Sequence, residues 1–126
     1  MLSKGGFTLW CRGIRGATIV SDNTKEAIIA ATRELLEAMV KVNKVETDDI
    51  ACIWFTTTPD LNAAFPAAAA RDMGWNNVAL LCSHEMNVPG SLPCCLRILM
   101  LVNTTKKSDE IVHVYLKGTE VLREGV

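Results

Sequence analysis

Residues 10–20, WCRGIRGATIV, alternate apolar or small positions with polar ones and close on β-branched Thr18, Ile19 and Val20, the pattern of a strand. Alternation puts Arg15 on one face with Gly13, Ala17 and Ile19, and Arg12, Ile14, Gly16 and Thr18 on the other. The period then changes. Ile28, Ala31, Leu35, Met39 and Val42 recur at helical spacing behind Asn23 as N-cap and Glu26 three residues on, which predicts a long amphipathic helix. IACIWFTTT (50–58) is apolar on both faces, as in a central strand covered on both sides. After the loop TPDLN, Pro66 opens a short second helix, PAAAARDM, which Gly74 stops, and NVALLC forms a third strand. Ser91 caps LPCCLRILMLV, which is apolar through almost its whole circumference and predicts a buried third helix. IVHVYL (111–116) and EVLR (120–123), joined through Lys117, Gly118 and Thr119, read as a terminal hairpin.

The order β-α-β-α-β-α-β-β, with neither repeat nor linker, predicts a single α/β (α+β) domain over residues 1–126 with a mixed β-sheet packed by helices. Residues 1–8 form an N-terminal extension without an assigned role. Hydrophobic residues make up 49% of the chain and mean hydropathy is +0.21, high enough that other subunits are expected to cover part of the surface. The net charge is −1, without a run of Lys or Arg, which argues against nucleic acid and anionic membranes as partners and leaves a small molecule. The opening MLSKGGFTLW lacks the apolar stretch of a signal peptide, and no apolar run reaches the ~20 residues of a membrane helix, so a cytoplasmic protein is expected. Cys11, Cys52, Cys82, Cys94 and Cys95 form no CxxC pair and read as buried free thiols, with Cys94 and Cys95 on different faces of the third helix. His84 and His113 lack the ligand spacing of a metal site. Nucleotide-binding and nucleophile-elbow motifs are absent.

Two arginines sit in apolar sequence, Arg15 in the first strand and Arg97 in the third helix. A guanidinium keeps its charge, and desolvating it without an anion costs several kcal/mol in a domain stable by only about 5–15 kcal/mol. Glu85 is the nearest carboxylate in sequence to Arg97, and one glutamate does not neutralise both. Two readings stand. Arg15 can pair with Glu85 or Asp60 structurally while Arg97 snorkels from the end of a shorter helix, or both face a bound anion.

RGIRGAT, TPDLNAAFPAAAAR, CSHEMNVPGSLPCCLR and the final HVYL with VLR, in that order and across roughly residues 10–123, resemble the monofunctional chorismate mutases of the trimeric AroH type. The resemblance implies a homotrimeric pseudo-α/β-barrel with active sites at subunit interfaces, each fed by two chains. It implies an isomerase that rearranges chorismate, a dianion, to prephenate on the branch toward phenylalanine and tyrosine, without cofactor, metal or covalent intermediate. By the same resemblance Arg97 stabilises charge on the breaking ether oxygen, while Arg15 holds a substrate carboxylate and lies near that oxygen. Glu85 and Cys82 contact the ring hydroxyl and ring region, and Tyr115 bonds the enolpyruvyl carboxylate. Phe65 and Leu122 wall the pocket, with Arg71 and Arg123 at its mouth. Ala68 stands where many members carry a lysine, which implies weaker substrate capture, and the end at Val126 implies incomplete closure by a C-terminal tail.

Two alternatives use the same pocket. A trimeric imine deaminase of similar architecture also holds a carboxylate with an interface arginine, but its members lack a second embedded arginine paired with a loop glutamate. A non-catalytic trimeric module would bind an aromatic metabolite without turnover.

Overall fold

The computed structural model describes residues 2–4 and 7–124; of the N-terminal extension, residues 1, 5 and 6 lie outside the described residues, as does Val126. The alternation in WCRGIRGATIV forms part of a long strand, β2 (Phe7–Ile19), onto which β1 (Leu2–Lys4) folds back antiparallel. There follow α1 (Lys25–Asn43), β3 (Ile50–Thr57), α2 (Ala67–Asp72), β4 (Ala79–His84), β5 (Cys95–Thr104), β6 (Val114–Tyr115) and a 3-10 turn at Thr119–Glu124. The strand order is β1-β2-β5-β3-β4, with β6 beside β2. β5 runs antiparallel to β2 and β3, while β4 lies parallel to β3 and β6 parallel to β2. The result is one mixed sheet with α1 and α2, an α+β domain.

The structure departs from the sequence expectations at several elements. LPCCLRILMLV is not a third helix: its residues from Cys95 onward form β5, whose buried positions Leu96, Ile98, Met100 and Val102 alternate with outward Arg97, Leu99 and Leu101. Arg97 is therefore a strand residue. Cys94, at φ 52, precedes the strand instead of lying on a helix face. The terminal hairpin is absent as well: β6 pairs with β2, and residues 120–123 belong to the 3-10 turn. The N-cap is Thr24, whose Oγ1 accepts the Ala27 N–H at 3.2 Å; Asn23 instead ties the entry loop to Asn62 and Ala63. The buried stripe of α1 closes on Asn43, not on exposed Val42. All five cysteines are free, but only Cys95 is buried.

Register explains where the core lies. One face of the sheet aligns Ile14, Met100, Ile53 and Leu80, and beside them Gly16, Ile98, Phe55 and Cys82. α1 lays fully buried Ile28, Leu35, Leu36 and Met39 against this face. Gly16 allows the approach: a Cβ there would stand 2.5 Å from Met39 Sδ and 3.2 Å from Leu35 Cδ1, inside any tolerable contact. The opposite face aligns Arg15, Leu99, Trp54 and Leu81, then Ala17, Arg97, Thr56 and Ser83. No helix covers it. Trp54 is 47% exposed and Leu81 58%, so within one chain β3 is covered on one side, not on both as its composition suggests.

Candidate active site

Both arginines project from the helix-free face, because Arg15 stands opposite Leu99 and Arg97 opposite Ala17 in the same ladder. Arg15 is exposed and, among the described residues, makes no ion pair. Water solvates its charge in the single chain, so desolvation does not itself demand an anion there. Its backbone is anchored, the N–H donating to His113 Nδ1 at 2.9 Å. That nitrogen is thus unprotonated and the imidazole proton sits on Nε2. Burial, then Arg15 and Arg123, hold the His113 pKa below its ordinary value.

Arg97 is half-buried and meets Glu85, Nη1 to Oε2, at 3.3 Å. Glu85 is placed by the end of β4, where its N–H donates to Thr57 O at 2.8 Å. Its carboxylate is held at two further points. Thr56 Oγ1 donates to Oε2 at 3.2 Å, and the Met86 N–H donates to Oε1 at 3.2 Å. Asp60, the other carboxylate considered for Arg15, instead accepts from Thr58 Oγ1 and from the Cys94 N–H, and the Thr58 hydrogen bond leads in lowering its pKa.

The Glu85–Arg97 pair forms a wall shared by two cavities. One, about 310 Å³, is lined by Arg15, Trp54, Thr56, Leu99 and Tyr115 together with the pair. The other, about 360 Å³, lies between the pair, the loop from Met86 to Leu92, and Val121 and Leu122. Tyr115 OH is buried without a hydrogen-bond partner among the described residues, and the Arg123 guanidinium lies 6.0 Å from the centroid of its ring. An orphaned phenol normally costs about 1–3 kcal/mol. A ligand oxygen in the adjoining cavity would remove that cost.

Arg15, Glu85, Arg97, Tyr115 and Leu122 thus gather around these two cavities, with Arg123 beside Tyr115. Phe65, Arg71 and Cys82 do not join them. Cys82 pairs with Phe55 and packs into the helix-side core, and burial, opposed by the Ala67 backbone and Arg71, raises its pKa. Arg71 is on α2, and Phe65 just before that helix is 72% exposed. Thr56 and Trp54 line the first cavity without standing out in the sequence, and Cys95, read there only as a buried thiol, lines the second. The one available signal was Thr56 sharing a strand face with Trp54 in an otherwise apolar run.

The chemistry available is electrostatic. Two permanent cations face one carboxylate, leaving surplus positive charge for an anionic ligand. The Cys95 thiol, pushed up to about 11 by burial, stays protonated at neutral pH and is a poor nucleophile.

The chain matches the family model described as chorismate mutase type I over residues 11–126. It is 49% identical over 113 residues to chorismate mutase AroH of Thermus thermophilus, covering 89% of this chain and 93% of that protein. Against chorismate mutase AroH of Bacillus subtilis it is 44% identical over 113 residues, 89% of each chain. A solved structure, chorismate mutase from Clostridium thermocellum, superposes with a TM-score of 0.85 at 56% identity, covering 86% of this chain and 97% of that one. A charge-rich, nucleophile-poor cavity and a match along almost the whole sequence agree: the chain belongs to the type I chorismate mutase family.

Proposed function

We propose that this chain isomerises chorismate to prephenate at a site formed by Arg15, Glu85, Arg97, Tyr115 and Leu122 of one copy and completed by Phe65, Arg71 and Cys82 of a second copy in a homotrimer. The carrying observation is the set of polar groups left short of partners around one cavity: Arg15 without a carboxylate, Arg97 sharing one, and Tyr115 OH with none. A dicarboxylate with an ether oxygen meets all three. Family membership decides against the imine deaminase and the non-catalytic module.

The reaction is intramolecular. The ether C–O bond breaks as a C–C bond forms, no proton moves, and no nucleophile or cofactor takes part. The enzyme's contribution is to hold the compact conformer and to place a cation where negative charge develops. Arg97 supplies that cation, and Arg15 grips a carboxylate and approaches the same oxygen. Tyr115 bonds the second carboxylate, and Arg123, exposed beside it, draws the dianion to the mouth. Glu85 and Cys82 face the ring hydroxyl and the ring, where positive charge grows.

The open face calls for the second copy. Trp54, Leu81 and Leu99 form an apolar row that, among the described residues, no element covers, and such a row is unusual on a monomer. In this reading the copy that covers it supplies Phe65, Arg71 and Cys82, which lie away from the arginine face of their own chain. No helix among the described residues is long and apolar enough to cross a membrane, which fits a cytoplasmic enzyme on the route to phenylalanine and tyrosine.

The test is subunit complementation. Arg97→Ala and Arg71→Ala chains, each impaired alone, are co-folded and assayed by loss of chorismate absorbance. Random trimers should regain about a quarter of wild-type activity, because that share of sites draws both halves from intact sources. Activity no higher than the average of the two parents, or a stable monomer by sedimentation, overturns the shared site.

A further inference from the structure

Thr56 stands directly across the ladder from Arg97 on one side and from Ser83 on the other. Its hydroxyl reaches two residues past Ser83, just beyond the end of β4, to Glu85 Oε2 at 3.2 Å. Trp54 makes the same diagonal step, Nε1 donating to Ser83 Oγ at 3.0 Å. The β3–β4 register therefore delivers a hydroxyl to the glutamate that bridges the two cavities. With the Met86 N–H on Oε1, both carboxylate oxygens are engaged from outside Arg97.

This has a consequence for the guanidinium. An arginine and a carboxylate left to themselves favour two parallel N–H···O bonds. Here the contact is made at one point, Nη1 to Oε2 at 3.3 Å, and the remaining N–H donors of Arg97 stay available. We infer that Thr56 is a positioning residue that restrains Glu85 from closing bidentately over Arg97, and so keeps that cation free for the reacting oxygen. The inference rests on the proposed roles of Glu85 and Arg97. It assigns Thr56 no contact with the substrate.

The experiment uses the full chain in its native assembly and steady-state kinetics on chorismate. Thr56→Val removes the hydroxyl at nearly constant shape and suits a strand. It should lower kcat about tenfold or more, with KM changed less than about threefold, because the loss falls on transition-state stabilisation. Thr56→Ser should return kcat to within about twofold of wild type. In a Glu85→Gln background Thr56→Val should add less than about twofold, since a neutral amide no longer competes for the guanidinium. Thr56→Ala carries the same expectations and replaces Thr56→Val should the latter fail to fold. Wild-type kcat in the hydroxyl-less variant, failure of Ser to rescue, or full additivity with Glu85→Gln overturns the inference. Glu85→Gln with wild-type kinetics overturns instead the role proposed for Glu85, whatever Thr56→Val does.

Discussion

Arg97→Ala is the most discriminating perturbation of the proposed chemistry, and its size follows from the geometry. The guanidinium already holds a carboxylate oxygen at 3.3 Å, so a developing oxyanion at the same reach is a fair measure of what it supplies. At an effective dielectric of about 20, a full unit of charge at that distance is worth about 5 kcal/mol, and half a unit about 2.5 kcal/mol. Hydrogen bonding to a charged group adds about 1.5–3 kcal/mol. Together these predict a loss of about 10³–10⁴ in kcat/KM for alanine, beyond the ~10²–10³ typical of one neutral oxyanion donor. Citrulline at position 97, introduced by semisynthesis, keeps N–H donors and removes the charge, so it should retain the hydrogen-bonding share and fall between wild type and alanine. The assay is loss of chorismate absorbance, with prephenate converted to phenylpyruvate by acid, on variants matched to wild type in thermal midpoint and sedimentation. Less than a tenfold loss for folded Arg97→Ala would refute the electrostatic role. Equal activity for citrulline and arginine would refute the charge component alone.

Two further predictions concern the scaffold. Gly16→Ala drives a Cβ to 2.5 Å from Met39 Sδ inside the fully buried α1 contact, and overpacking of this kind costs about 1–3 kcal/mol. For a chain of 126 residues that lowers the thermal midpoint by about 4–10 °C; an unchanged midpoint would show that α1 shifts without strain. His113 has a folded pKa below its ordinary 6.5, through burial, Arg15 and Arg123, so the unfolded chain takes up the proton first. Stability should be full above pH 6.5 and be lost as pH falls through the lowered folded value, as the Arg15 N–H loses its acceptor. His113→Asn keeps an acceptor oxygen without titrating and should flatten that slope in a denaturation series; identical slopes would discount His113.

The elements that were legible in the sequence are those whose two faces differ. β2 shows its alternation because buried Ile14, Gly16 and Thr18 on one face alternate with Gly13 and Arg15 on the other, and α1 because charged residues fill its outer face. β5 was misread because Leu99 and Leu101 on the open face are as apolar as Ile98, Met100 and Val102 on the covered one, which erases the period of two and leaves a run that fits a buried helix equally well. Within LPCCLRILMLV, Arg97 is the one charged mark of the outward face. β6 pairs over only Gly16–Val114 and Ala17–Tyr115, too short for any pattern, and depends on groups around it, including the Leu116 N–H and Thr119 Oγ1 that donate to Ala17 O. Of the candidate site, Arg15 and Arg97 stand out as charges in apolar sequence, and Glu85 as the carboxylate nearest to Arg97 along the chain. Thr56 does not, since its nearness to Glu85 follows from the β3–β4 register, and register is a tertiary property.

The pairing of β2 also governs how the protein can be made. Its partner β5 follows only after α1, β3, α2 and β4 have been made, and the anchoring contacts of Arg15 with His113 and of Ala17 with Thr119 link residues 98 and 102 positions apart. A nascent chain emerging from the ribosome can form α1 early, yet β2 must wait for its neighbours, at synthesis rates of about 5–20 residues per second, for several seconds. Through that interval the apolar β3 stands beside an empty slot where β5 belongs, a strand edge open to other chains. Vectorial synthesis therefore exposes this fold to aggregation before it exposes it to substrate, and the arginine face comes into being only when β5 has joined β2.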